Sequence, residues 1–116
     1  MKMNPIASPT LTVSPVTTEA LHVPVEAESV YLDVSGAVTI PQIFQPRIPT
    51  GGFLWLYAKS TNGGDVTIPR TAKASAVEGS VTTNSGSNIV LNPDDAVLLV
   101  KRANGSFMDV AFANPS

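Results

Sequence analysis

The sequence predicts an all-β protein: a small antiparallel sandwich or barrel over residues 25–116, preceded by an extended Pro-rich arm over residues 1–24. Three observations predict it. Short runs of β-branched and aromatic residues recur between Gly, Pro and Asn turns, as in sandwiches and barrels. Helical periodicity is absent, since the one candidate, Ala72–Glu78, is short and has no second apolar stripe. Pro5, Pro9, Pro15 and Pro24 interrupt the first apolar runs. Proline fixes φ and lacks an N–H, so this arm is neither a helix nor a central strand.

Within the arm, Leu11 and Val13 alternate with Thr10 and Thr12, which reads as a short strand seeking a sheet edge. The arm is too apolar for a solvated, charge-rich tail. Ile6, Leu11, Val13 and Val16 are therefore its candidate partner-binding residues, expected to clasp a neighbouring chain.

After the arm, Ser29–Val34 and Ala37–Ile40 flank Ser35-Gly36, a spacing that predicts a tight hairpin. A Pro-rich loop containing Pro41, Pro46 and Pro49 follows. The strongest strand is Phe53–Ala58, where Phe53, Trp55 and Tyr57 point one way and Leu54, Leu56 and Ala58 the other. A strand apolar on both faces is expected to be covered on both, by a second sheet or a second subunit. Phe53, Trp55 and Tyr57 are thus the candidate subunit interface, and a homotrimer is the expected assembly.

The chain is then expected to turn at Asn62-Gly63-Gly64 and return through Asp65–Ile68, where Pro69 stops it. Residues 71–88 are rich in Ser, Thr and Ala and predict a surface excursion with a weak strand near Ser80–Thr83. Ile89–Leu91, a turn at Asn92-Pro93-Asp94-Asp95, and a hairpin of Ala96–Arg102 with Ser106–Phe112 over Ala103-Asn104-Gly105 close the domain. On the last strand, Met108, Val110 and Phe112 are expected to share a face.

Composition excludes several functions. The 116 residues carry a net charge of −2, and neutralising nucleic-acid phosphates requires a basic surface. There is no cysteine and a single histidine, His22, so neither a thiolate or histidine metal cluster nor a triad can be built within one chain. Asp94 and Asp95 lie in a Pro-containing turn and lack the spacing of a calcium loop. Gly51-Gly52 and Gly63-Gly64 precede no helix and no Lys-Ser/Thr, so they are not phosphate loops. Trp55 with Tyr57 would suit a sugar-stacking platform, but a mid-strand position favours packing.

The expectation is a protein with no catalytic residue, no cofactor, no metal and no membrane partner. Lys2 is followed by prolines rather than an apolar run, so synthesis in the cytoplasm is expected. Charge is segregated along the chain: Glu19, Glu26, Glu28 and Asp33 precede Pro46 without a cation, whereas Arg47, Lys59, Arg70 and Lys73 follow with only Asp65 between them. Opposite-signed halves suit a head-to-tail contact between copies.

Three stretches, "VYLDVSGAVTIP", "GGFLWLYAKSTNGGDVTIP" and "IVLNPDDAVLLVKRANGSFMDVAF", resemble small β domains of tailed-bacteriophage virions, over roughly residues 29–113. Such domains occur in capsid decoration (cement) proteins and in head- or tail-fibre modules. The resemblance implies a non-enzymatic, often trimeric protein on the capsid surface of a virion, with the major capsid protein or another virion protein as partner. It supplies no individual binding residue. A fibre module that binds a receptor or glycan is the alternative.

Overall fold

The computed structural model describes residues 10–23 and 27–115. Among the described residues there are eleven strands: β1 (Thr10–Val13), β2 (Leu21–His22), β3 (Ser29–Leu32), β4 (Val38–Thr39), β5 (Ile43–Phe44), β6 (Phe53–Ala58), β7 (Val66–Ile68), β8 (Val81–Thr82), β9 (Ile89–Leu91), β10 (Ala96–Lys101) and β11 (Phe107–Ala113). The protein is all-β, with a single 3₁₀ turn at Lys73–Ser75 among the described residues.

A six-stranded sheet in the order β1-β3-β6-β10-β11-β8 is accompanied by two small sheets, β2-β5 and β4-β7-β9. One continuous apolar core joins all three sheets. The six-stranded sheet contributes Val30, Leu32, Leu54, Leu56, Val97 and Leu99, each fully buried. The smaller sheets contribute Ile43, Val66, Ile68 and Leu91. Each such side chain contributes about 1.5–3 kcal/mol, and together they oppose the entropy of ordering many short strands.

The expected hairpins at Ser35-Gly36 and at Asn62–Gly64 do not form. β3 and β4 belong to different sheets, as do β6 and β7. Each predicted turn is instead a corner at which the chain leaves one sheet for another, and strands of successive passes pair in parallel. Thus β1 runs parallel to β3, β3 to β6, β2 to β5 and β4 to β7. The antiparallel sandwich anticipated from the sequence is a mixed architecture: its first half winds like a short solenoid, and antiparallel pairings of β10 with β6 and β11, and of β7 with β9, close it.

The corners stack. Val34 N–H donates to Asn62 Oδ1 at 3.0 Å, Asn62 Nδ2 donates to Leu32 O at 3.0 Å, and Gly63 N–H donates to Val34 O at 2.9 Å. Gly63 and Gly64 lie so close to the main chain of Ser35–Ala37 that a Cβ at either position would collide with backbone atoms. They are glycines of close approach, not of hairpin conformation.

The described part of the expected arm, residues 10–23, pairs within its own chain. β1 pairs with β3 of its own chain, Leu11 and Val13 pack on the core, and Leu21 and Val23 lie within it. Residues 10–23 form the first pass of the winding, because their apolar side chains meet the exposed edge of the second pass. Ile6 lies outside the described residues, and Val16 is exposed.

The later segments follow the sequence closely. β8 lies at the weak strand expected near residues 80–83, and the β10–β11 hairpin closes over Ala103–Gly105, with Gly105 at φ 82°. A bulge between Leu98 and Leu99 alters the face pattern of β11. Met108 is opposite Val100, on the outer side, whereas Phe112 is opposite Val97, on the inner side. Met108, Val110 and Phe112 therefore do not share one face.

Two turns place non-glycine residues at positive φ. Asp94 (φ 78°) follows Pro93 in a turn closed by Asp95 N–H to Asn92 O at 2.9 Å. Thr18 (φ 65°) holds the corresponding position in Val16–Glu19, closed by Glu19 N–H to Val16 O at 3.1 Å. A β-branched residue is strained there. Two substitutions should shift urea unfolding in opposite directions. Asn62→Ala removes both partners of the corner and should cost about 2–3 kcal/mol, whereas Thr18→Gly should stabilise by up to about 1 kcal/mol.

Candidate functional site

The site is an uncovered sheet face. Register fixes which residues share the outer side of the six-stranded sheet. Ser29, Trp55, Leu98 and Ala111 form one cross-strand row. Thr12, Tyr31, Tyr57, Ala96 and Ala113 form a second. Phe53, Val100, Met108 and Thr82 form a third. None of these residues is charged. Phe53 is 51% exposed, Trp55 42% and Tyr31 40%, and Tyr57, Leu98, Val100 and Met108 are half-buried.

The alternation read from Phe53–Ala58 is therefore present, but only one side is covered. Leu54, Leu56 and Ala58 are fully buried, while Phe53 and Trp55 face outward with no second sheet of the described residues against them. The smaller sheets lie against the inner side only. Isolated exposed apolar residues need no explanation, but a contiguous apolar patch with a polar rim marks an interaction surface.

Polar order confines the patch at one end. Lys59 Nζ and Asp33 Oδ2 pair at 3.9 Å. Tyr31 and Tyr57 meet edge to face, with ring centroids 5.1 Å apart. The Tyr57 hydroxyl donates to Asp94 Oδ1, so the carboxylate of the strained turn anchors the ring. That turn is fixed to the end of β6 by Asp94 N–H to Ala58 O and Ala58 N–H to Asp95 O, both 2.8 Å. The buried Asp95 carboxylate accepts Asn92 N–H at 2.9 Å. Asp94 and Asp95 thus shape the turn, and Asp94 also reaches the rim. The sequence reading of the turn missed that second role, because it depends on β6 and β10 being neighbours.

The remaining candidates are dispersed. His22 is exposed and stacks on Phe44 at 5.2 Å. Among the described residues no group of His, Cys, Asp and Glu could hold a metal ion, and no helix is long and apolar enough to cross a membrane. No family model, curated protein or solved structure matches this chain.

The hydrogen bond to Asp94 is the first cause that raises the Tyr57 phenol above its ordinary pKa of 10.0, and burial adds to it. Ionisation would remove the donor and set two negative charges together. Since the folded pKa is raised, this contact stabilises the fold below pH 10 and its contribution is lost as pH climbs through the Tyr57 pKa. Asp94→Asn keeps a side chain that tolerates positive φ but removes the charge. Tyrosinate absorbance should show the Tyr57 midpoint falling toward 10.0 in that variant.

Proposed function

We propose that this is a structural, non-enzymatic virion protein: a capsid decoration (cement) protein that docks on an assembled bacteriophage head and associates with its own copies, as a trimer, through the outer sheet face. The carrying observation is the charge-free apolar face of Tyr31, Phe53, Trp55, Tyr57, Leu98 and Val100, left open by a chain whose core is complete without it. Such a face in a domain this small supports association rather than chemistry. The style of the strand sequences, similar to that of phage virion domains, supports the class of partner.

Four partly exposed aromatic side chains offer on the order of 300–400 Å². A stable contact needs about 800 Å² per partner. The aromatic face thus supplies the centre of the contact, and the rim and the β1 edge supply the remainder. Under this reading the clasp role contracts to residues 1–9, with Ile6 as its apolar anchor. The alternative, a fibre module, is favoured by one feature: exposed Trp55 beside Tyr31 and Tyr57 is also a surface on which a sugar ring stacks.

Trp55→Glu and deletion of residues 1–9 separate these roles. Trp55→Glu should leave circular dichroism unchanged, because the side chain faces out, while sedimentation shifts to monomer and binding to heads stripped of the protein is lost. The truncated chain should fold and associate but saturate heads only at higher concentration. A wild-type chain that stays monomeric at every concentration and ignores stripped heads would refute the proposal, and retention on a glycan surface would favour the fibre reading.

A further inference from the structure

A second site closes the far end of the same sheet. A cleft of about 420 Å³ at the β8 edge is lined by Arg70, Lys73, Thr82, Thr83, Asn84 and Arg102. The chain is acidic overall, yet three of its seven basic residues converge here. Surface cations in an acidic protein are ordinarily spent on neighbouring carboxylates. These are not: among the described residues the only ion pair is Lys59 with Asp33. The Arg102 side chain makes one hydrogen bond, Nη1 to Ser106 Oγ at 3.3 Å, which leaves most of its donor fork unused.

The acid adjoining the cleft is already engaged. Asp109 Oδ1 accepts Asn84 N–H at 2.7 Å, and Asn84 Nδ2 donates to Asp109 O at 2.5 Å. These bonds fix the loop after β8 and hold one Asp109 carboxylate oxygen on a main-chain amide, with no ion pair to the cations of the cleft among the described residues. Thr71 N–H to Val81 O at 2.8 Å and Arg70 N–H to Asn88 Oδ1 at 2.9 Å hold the segment bearing Arg70 and Lys73 against β8. The cleft therefore rests on bonded backbone.

An independent observation points to a ligand. Thr82 Oγ1 is buried with no hydrogen-bond partner, the one such side-chain atom among the described residues. Buried hydroxyls are nearly always satisfied. This one lies on a residue that lines the cleft beside three cations. Two guanidinium forks and an ammonium suit an oxyanion with several acceptor oxygens.

We propose that this cleft binds a sulfate or phosphate group, either as the free ion or carried on a glycan. The site does not depend on the capsid reading, since it stands on β8, β11 and the 70–73 segment. Met108 and Thr82 end the outer row that begins at Phe53, so an anionic group here sits beside an apolar surface.

The test is titration of ¹⁵N-labelled full-length protein with sodium sulfate at matched ionic strength, then with a sulfated disaccharide and its unsulfated counterpart. Saturable amide shifts confined to residues 70–73, 82–84 and 102 are expected, with no binding of the unsulfated sugar. Arg70→Ala and Arg102→Ala should each weaken binding by roughly tenfold. Arg47→Ala, an equal loss of charge elsewhere, should leave it unchanged. Tighter binding of the sulfated disaccharide than of sulfate identifies the glycan-borne group as ligand, and equal binding identifies the ion. Non-saturating shifts, or equal weakening by Arg47→Ala, would overturn the site.

Discussion

The architecture depends on main chain packed against main chain where successive passes turn their corners. At 33–37 and 59–65 the chain leaves the six-stranded sheet, and the two corners lie in direct contact. Asn62 makes this possible. Its amide supplies an acceptor for Val34 N–H and a donor for Leu32 O, so a buried corner has its polar groups satisfied. Gly63 and Gly64 supply the clearance. Without that contact β6 could not lie parallel to β3 in register, and the inner rows of Val30 with Leu56 and Leu32 with Ala58 would not meet. Buried backbone that is left unpaired costs as much as a lost hydrogen bond, so corner and core form as one unit.

This constraint explains which parts of the fold were legible in the sequence. Strand positions were, because alternation is local: Phe53–Ala58, Ile89–Leu91 and the strands around Asn104-Gly105 stand where their side chains place them. Pairing was not, because Ser-Gly and Asn-Gly-Gly between β-branched runs fit a hairpin turn and a stacked corner equally well. The difference lies in residues distant in sequence, since Gly63 matters through Ser35 rather than through its own neighbours. The arm shows the same limit. Its prolines mark the absence of a central strand, but Pro15 lies just beyond β1, where an edge position tolerates it. Nothing within Leu11–Val23 discloses that the receiving edge belongs to the same chain.

The candidate site divides along the same line. The outer face was legible as a face, since a two-residue period places Phe53, Trp55 and Tyr57 together. Its extent was not, because Tyr31, Leu98 and Val100 join it only through register. The β8-edge cleft had no local signature. Arg70 and Lys73 stand about thirty residues from Arg102 in sequence, and main-chain bonds from Thr71 N–H to Val81 O and from Phe107 N–H to Ser80 O bring their segments to one edge. The opposite-signed halves noted along the chain are only partly separated in space, since Lys59 of the basic half pairs with Asp33 of the acidic half. Asp33 and Glu28 flank β3, near one edge of the six-stranded sheet, while the cationic cleft lies at the other.

The two faces of β6 therefore have separate physical tasks. Leu54, Leu56 and Ala58 hold the monomer together, and substitutions there act on folding through lost burial and cavities. Phe53 and Trp55 contribute little to that core, so their presence on a charge-free face is not explained by the monomer's own stability. Apolar side chains in water cost solubility, and an edge strand such as β1 invites unwanted pairing. Both liabilities vanish if the same surfaces are covered in an assembly. Of the two strained turns, Asp94 is held at the margin of the outer sheet through Tyr57, whereas Thr18 is held on the small β4-β7-β9 sheet through its N–H to Thr39 O at 2.8 Å. The small domain thus keeps its inner sheet contacts for folding and leaves its aromatic face open.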